Sequence, residues 1–432
     1  MSLPAVLRDR DFGLYWAGVV FSQIGTRGTV AANLFHLYQL TGSIAYTGLV
    51  GAAQAVALLV LSPLGGALAD RVDRRRLLQA AQAVALLVAA TLAWLTLTGN
   101  ARAWHVVVSV VLTTAAATFD QPARQALIPA LVPKGQIAQA IALLNPSREL
   151  AILVGPLMAG VLITLAGPGL MYAVDAVTYG LLVAVLAMLR VPALRPPEER
   201  RSVLGSIVEG ARYISRRPLI YNLMALDISA TVFSAYRVLL PALAVDVLKV
   251  GSTGYGVLSS APSAGALLAT YSVFRTVERS RRQGRVLLWS TVLYGVAALL
   301  LAQSPVFVLA VLAAGLLGAF DAMATTIRHA AVQIDTPDEL RGRVTAFYQM
   351  SSRGGPAVGD VVVGAFAAVV GPMTALTVGA LGPIVVGGSF LLRGNVVRGY
   401  TGGVEEDADP GAPPKAAGPS SPEVTARRGK DG

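Results

Sequence analysis

The chain has 432 residues, 54% of them hydrophobic and only 14% charged, with a net charge of +11 and no cysteine. Soluble domains carry about 25% charged residues, so this deficit and the long uncharged runs point to a polytopic membrane protein. Without cysteine there are no disulfides or thiolate metal sites, and His36, His105 and His329 stand too far apart in sequence to suggest a metal centre.

Arg8, Asp9, Arg10 and Asp11 precede the first apolar run. No short apolar core with a small-residue cleavage site follows them, so the first span is expected to be retained. Twelve apolar segments are long enough to cross about 30 Å of hydrocarbon at 1.5 Å per residue. Six run roughly 13–38, 43–69, 76–98, 103–132, 139–165 and 170–190. Six more run 219–246, 253–275, 284–303, 306–332, 344–370 and 373–393. The predicted fold is an all-α membrane protein of twelve transmembrane helices in two pseudo-symmetric six-helix halves.

Between spans 2 and 3 the link reads Gly66-Ala-Leu-Ala-Asp70-Arg71-Val-Asp73-Arg74-Arg75-Arg76. Gly66 permits close helix approach, and Asp70 can meet a helix N-terminus or an arginine. The arginines can hold one face closed through ion pairs that break when the halves move. In span 5, residues 151–160 read Ala-Ile-Leu-Val-Gly-Pro-Leu-Met-Ala-Gly. Gly155, Pro156 and Gly160 give a small, bent packing face.

The chain divides into an amino-terminal half, 1–190, a linker, 191–218, a carboxy-terminal half, 219–398, and a tail, 399–432. In the linker, Ile207, Ala211, Tyr213 and Ile214 can form one face of a short interfacial helix. The tail is rich in Gly, Pro, Ala and charge, the composition of a disordered segment. A repeat relates the halves. Arg124 lies nine residues before Pro133, and Arg328 nine before Pro337. Arg148 follows Arg124 by 24 residues, and Arg353 follows Arg328 by 25. Gly155-Pro156 and Gly355-Pro356 complete the two copies.

Links after spans 1, 3, 5, 7, 9 and 11 are short and hold two basic residues, Arg102 and Lys249. The opposite links hold Arg71, Arg74, Arg75, Arg76, Lys134, Arg279, Arg281, Arg282 and others. The positive-inside rule then places both termini in the cytoplasm. The net charge is thus a topology signal and a contact for anionic lipid, and nucleic acid is not expected as a partner.

Six arginines fall inside the spans, Arg27, Arg124, Arg148, Arg237, Arg328 and Arg353. Six carboxylates join them, Asp120, Glu149, Asp175, Asp227, Asp321 and Asp360. Each charge facing lipid at mid-bilayer costs at least ~2.5–3.5 kcal/mol, so they should face one another or a wet cavity. Asp120 and Arg124, Asp321 and Arg328, and Arg353 and Asp360 share helical faces. Asp175 and Asp227 have no arginine on their own helix. A buried carboxylate without a cation can bind and release protons near neutral pH.

The 66–76 link resembles the signature loop between helices 2 and 3 of major facilitator superfamily transporters, with Asp73 where that family more often has glycine. Residues 151–160 resemble the antiporter motif of helix 5, with Ala151 and Ala159 replacing glycines. Asp11-Phe-Gly-Leu-Tyr-Trp16, Gly210-Ala-Arg-Tyr213, Ala235-Tyr-Arg-Val-Leu-Leu-Pro-Ala-Leu-Ala244 and Thr336-Pro-Asp-Glu-Leu-Arg-Gly-Arg-Val344 resemble its drug- and siderophore-efflux subfamily, the group of enterobactin exporters and macrolide pumps. The resemblance covers about 8–395 and places Arg27, Arg124, Arg237 and Arg328 on the cavity-lining helices 1, 4, 7 and 10.

It implies proton-coupled efflux of a small organic molecule by alternating access across the bacterial cytoplasmic membrane. The proton gradient supplies the energy, no cofactor or metal is needed, and the transporter is a monomer. The expected substrate site is Arg27, Asp120, Arg237 and Asp321. Proton coupling is expected at Asp175, Asp227, Asp120 or Asp321. The expected conformational gate is Gly66, Asp70, Arg71, Arg74, Arg75, Arg124, Arg148, Arg328 and Arg353. Alternatives are a pump for cationic or apolar drugs and macrolides, and a lysophospholipid transporter or flippase of the same fold. No phosphate loop for ATP is present, and no nucleophile-base or metal constellation suggests an enzyme.

Overall fold

The computed structural model describes residues 5–69, 73–189 and 211–402, with side chains placed at all of these except 5, 59–69, 339, 346, 349, 350 and 353. Twelve long helices follow one another among the described residues. The first six are α1 (Arg10–Thr41), α2 (Ile44–Ala69), α3 (Arg74–Leu97), α4 (Ala103–Leu131), α5 (Ile137–Ala166) and α6 (Pro168–Met188). The second six are α7 (Pro218–Phe233), α8 (Gly251–Arg279), α9 (Gln283–Ala302), α10 (Phe307–Ile334), α11 (Asp338–Val370) and α12 (Pro372–Arg393). Nine helical stretches among the described residues are long and apolar enough to cross a membrane, and shorter apolar runs lie in α2 and α11. Large apolar side chains such as Leu87, Trp94, Leu268, Val369 and Leu392 stay exposed on the outside of the bundle, as lipid-facing surface requires.

Local chemistry explains the ends. Asp9 caps α1 by accepting from the Asp11 and Phe12 amides, and Gly42 closes it in the left-handed region at φ 61°. Asp73, where the family more often has glycine, caps α3 by accepting from the Arg75 and Arg76 amides. The α5–α6 and α11–α12 turns are the same device. Gly167 and Gly371 take φ values of 75° and 86°, and Pro168 and Pro372 begin the next helix.

The span expected at 219–246 is interrupted. After α7 the chain turns at Ser234 and resumes as a 3-10 turn at Arg237–Leu239, then a π-helical turn at Leu243–Val247. Pro241 lies within the resumed stretch, where it has no N–H to give the Arg237 carbonyl four residues earlier.

Packing repeats between the halves. In the first, α1 lies on α5 and α6, α4 on α2 and α3, and α3 on α6. In the second, α7 lies on α11 and α12, α10 on α8 and α9, and α9 on α12. The halves meet through α2 against α11 and α5 against α8. At the end of the linker, Tyr213 donates to the Asp335 carbonyl at 3.3 Å, and Ile214 packs into the second half. Residues 191–210 and the tail beyond 402 lie outside the described residues.

Candidate functional site

The seam between the halves closes at the end of the bundle that carries the α1–α2 and α5–α6 turns. Small residues let it close. A Cβ built on Gly256 would lie 2.6 Å from the Pro156 carbonyl and 2.9 Å from the Gly160 Cα. One built on Gly48 would lie 3.2 Å from the Gly364 Cα. The hydroxyls of Thr47 and Tyr255 donate across the seam to the carbonyls of Val238 and Ala31, at 2.9 and 2.8 Å. Thr164 bonds Ser252 and Thr253, and the Tyr38 hydroxyl donates to the Asp246 carboxylate. All these contacts lie toward that one end.

The 151–160 motif therefore acts at backbone distance. Gly155 sits against α1, where an added Cβ would lie 2.6 Å from the Arg27 Cβ and 2.8 Å from the Gly28 nitrogen. Pro156, the next residue, and Gly160, just over one turn further on, meet α8.

Toward the other end a cavity of about 640 Å³ opens within the first half, lined by residues of α1 through α6. Among the described residues, Arg27, Arg124 and Arg148 line it with a single carboxylate, Asp120, and an amide belt that includes Gln23, Gln54, Gln121 and Asn145. Asp120 is bound on both oxygens. Arg124 Nε lies 2.5 Å from Oδ2, and Gln82 Nε2 donates to Oδ1 at 2.6 Å. Ser22 donates to Gln82 at 3.2 Å, which ties α1, α3 and α4 into one network. The Nη1 atom of Arg124 is buried with no partner among the described residues.

The expected substrate residues fall in both halves. Arg27 and Asp120 line the cavity, whereas Arg237 and Asp321 belong to the second half and do not. Arg237 follows the break after α7 and pairs with Asp360 at 3.1 Å. Asp321 is half-exposed and shares its helix face with buried Leu317 and Arg328, so it opens into the bundle interior. The Thr325 hydroxyl donates to it at 3.3 Å.

The expected same-helix pairs divide. Asp120 and Arg124 meet, being one turn apart. Asp321 and Arg328, seven residues apart, reach only 4.0 Å, because two turns separate them by about 10 Å of rise. Arg328 instead meets Asp227 of α7 at 2.8 Å, with both side chains almost fully enclosed. Asp227 thus has a cation, and only Asp175 matches the expectation of a carboxylate without one. Asp175 is 1% exposed and forms no ion pair among the described residues.

The expected gate does not bridge the halves where it is described. Arg75 donates to the Leu186 and Ala187 carbonyls at 2.6 Å each, and Arg74 reaches the Ala126 carbonyl at 3.5 Å. Arg75 thereby satisfies orphan carbonyls at the C-terminal end of α6, and both arginines bond within their own half. Arg328 is likewise held within its half, while Arg124 and Arg148 face the cavity. Asp70, Arg71, the Arg353 side chain and the surroundings of Gly66 lie outside the described residues. Sequence reasoning missed Gln82, whose place one turn below Ala85 on the α3 face that meets α4 and α6 is visible only in the fold.

Three comparisons bear on this geometry. Residues 1–401 match the family described as transmembrane secretion effector. The enterobactin exporter EntS of Shigella boydii is 28% identical over 345 residues, 80% of this chain and 81% of that one. EntS of Citrobacter koseri is 28% identical over 340 residues, 78% of this chain and 80% of that one. The nucleoside transporter NupG superposes with a TM-score of 0.70 at 14% identity, covering 88% of this chain and 98% of that one. A bacterial homologue of the lysosomal transporter Spinster, inward-facing and unoccupied, gives 0.64 at 13% identity, covering 90% and 96%.

Proposed function

We propose a transport function from one premise: the chain belongs to the transmembrane secretion effector family, and is a multi-pass membrane transporter of the major facilitator type and not an enzyme. We infer that it exports a small anionic organic molecule of siderophore-like chemistry across the bacterial cytoplasmic membrane. Export is driven by proton exchange and proceeds by alternating access. The observation that carries the substrate class is the cavity itself, three arginines against one carboxylate whose oxygens are already engaged. Guanidinium forks and side-chain amides suit catechol, phenolate and carboxylate oxygens. Cationic drugs would meet a surplus of positive charge there. The names of the curated relatives, enterobactin exporters, support the same class.

Both termini are taken as cytoplasmic because the basic links lie on their side. The sealed turn end then faces outward and the cavity loads from the cytoplasm. Rocking of the two halves about the α2–α11 and α5–α8 contacts would reverse this exposure. The cavity is built within one chain, so a monomer suffices.

Competition transport in proteoliposomes under an imposed pH gradient tests the reading. Enterobactin, a macrolide, a cationic dye and a lysolipid are compared side by side. Enterobactin should be carried and the dye should not compete. Arg148→Gln should weaken enterobactin transport by roughly tenfold or more, since a hydrogen bond to a charged group contributes about 1.5–3 kcal/mol. Inward movement of the lysolipid alone would overturn export.

A further inference from the structure

We propose that Asp175 is the residue that carries the coupling proton, and that Tyr179 and Thr26 link it to the cavity. The proposal rests on the proton-exchange reading above and deepens it by choosing among the carboxylates. Asp120 is committed to Arg124 and Gln82, Asp227 to Arg328, and Asp360 to Arg237. Asp321 has Thr325 and the more distant Arg328. Asp175 is fully enclosed and is the one of these five with no cation within ion-pair distance among the described residues; its Oδ2, like Oδ1 of Asp227 and Asp360, has no hydrogen-bond partner there.

Its described neighbours offer a fixed negative charge two hydroxyls, those of Thr178 and Thr29, and no cation. The Thr178 hydroxyl has one hydrogen and gives it at 2.8 Å to the Asp175 carbonyl, leaving only a 3.4 Å approach to Oδ1. From α1, Thr29 lies beside the carboxyl. Gly25 leaves it room, since a Cβ there would fall 2.6 Å from Oδ1. The charged and titratable groups around α6 are otherwise engaged. On α1, Arg27 lines the cavity and His36 bonds the Tyr172 hydroxyl at 3.2 Å. On α3 the facing residues are Ala85, Leu86 and Ala89. On α5, Arg148 and Glu149 lie about two turns from Gly155, roughly 10 Å along the helix. A buried carboxylate with one oxygen unpaired is expensive. A carboxylic acid supplies its own O–H and needs fewer donors.

Tyr179 is the cavity-lining group within electrostatic reach of Asp175. Tyr179 lies one turn from Asp175 on α6, and its hydroxyl is 2.8 Å from that of Thr26. Thr26 gives its own hydrogen to the Ser22 carbonyl at 2.8 Å, so Tyr179 is the donor in this pair. Both residues line the cavity. A water or a substrate oxygen there can take up the proton that Asp175 releases, and substrate arrival and proton loss become one event.

Two measurements on the full chain test this. In proteoliposomes exchanging enterobactin, one pH unit across the membrane should raise accumulation by about tenfold per proton exchanged. Asp175→Asn should reduce that ratio to about one, and Tyr179→Phe should lower it in part. An unchanged ratio in Asp175→Asn overturns the assignment. Independently of any substrate, infrared difference spectra of wild-type protein minus Asp175→Asn should contain the carbonyl stretch of a neutral carboxylic acid that titrates with bulk pH. Its absence also overturns the assignment. If wild-type protein does not carry enterobactin, the substrate reading fails while the infrared band still decides Asp175.

Discussion

Asp227 and Arg328 illustrate how a single buried charge is tolerated only through its partner. Truncating Asp227 to alanine leaves a guanidinium enclosed and unpaired, so the variant should lose about 3–5 kcal/mol. A thermal unfolding series in detergent would read this as a large fall in midpoint, partly recovered in Asp227→Leu/Arg328→Met. Asp73→Ala, by contrast, removes only a helix cap and should cost about 1 kcal/mol in the same series. At this scale the sequence was legible where partners are one turn apart, as in Asp120 and Arg124. It was not where they are two turns apart or on different helices. Asp227 with Arg328 and Arg237 with Asp360 depend on which helix faces which, and that is settled by the pairing of α7 with its neighbours. Gln82 had no signal of its own, because a neutral amide in a span does not advertise burial.

Elements were read more successfully than residues, because hydropathy and turn chemistry act over whole segments. Gly167-Pro168 and Gly371-Pro372 mark the α5–α6 and α11–α12 turns in the sequence, and the structure uses them that way. The break after α7, over 234–236, was concealed by uninterrupted apolarity across 219–246. The 151–160 motif was legible as small-residue packing, yet not which helix it meets. Gly256→Val tests its role. The added carbon would crowd the Pro156 carbonyl and the Gly160 Cα, forcing α5 and α8 apart. Native protein has no cysteine, so a cysteine introduced at Ser252 is the sole label site. An impermeant maleimide should react with it several-fold faster in the Gly256→Val background than without that change. Equal rates would mean the seam does not depend on this contact.

At the scale of the whole molecule, the twofold repeat seen at Arg124 and Arg328 extends to the helix pairing, which recurs element for element. What the sequence could not convey is asymmetry within the repeat, since the described residues that line the cavity all belong to the first half. Rocking predicts a specific pattern of distances. Spin labels at Leu131 on α4 and Ile334 on α10 should approach each other when an outward-open state is favoured. Labels at Leu131 and Met188, within one half, should keep their separation. Pulsed dipolar spectroscopy would distinguish this from a local gate, which would leave the first pair unchanged.

The ion pairs also have a kinetic meaning. Asp120 with Arg124, Asp227 with Arg328 and Asp360 with Arg237 are each contained within one half. Had any of them bridged the seam, each turnover would have to part a buried pair at about 3–5 kcal/mol. That would slow the step by a factor of roughly a hundred or more. Among the described residues, glycine contacts and a few hydrogen bonds are what must yield at the seam instead.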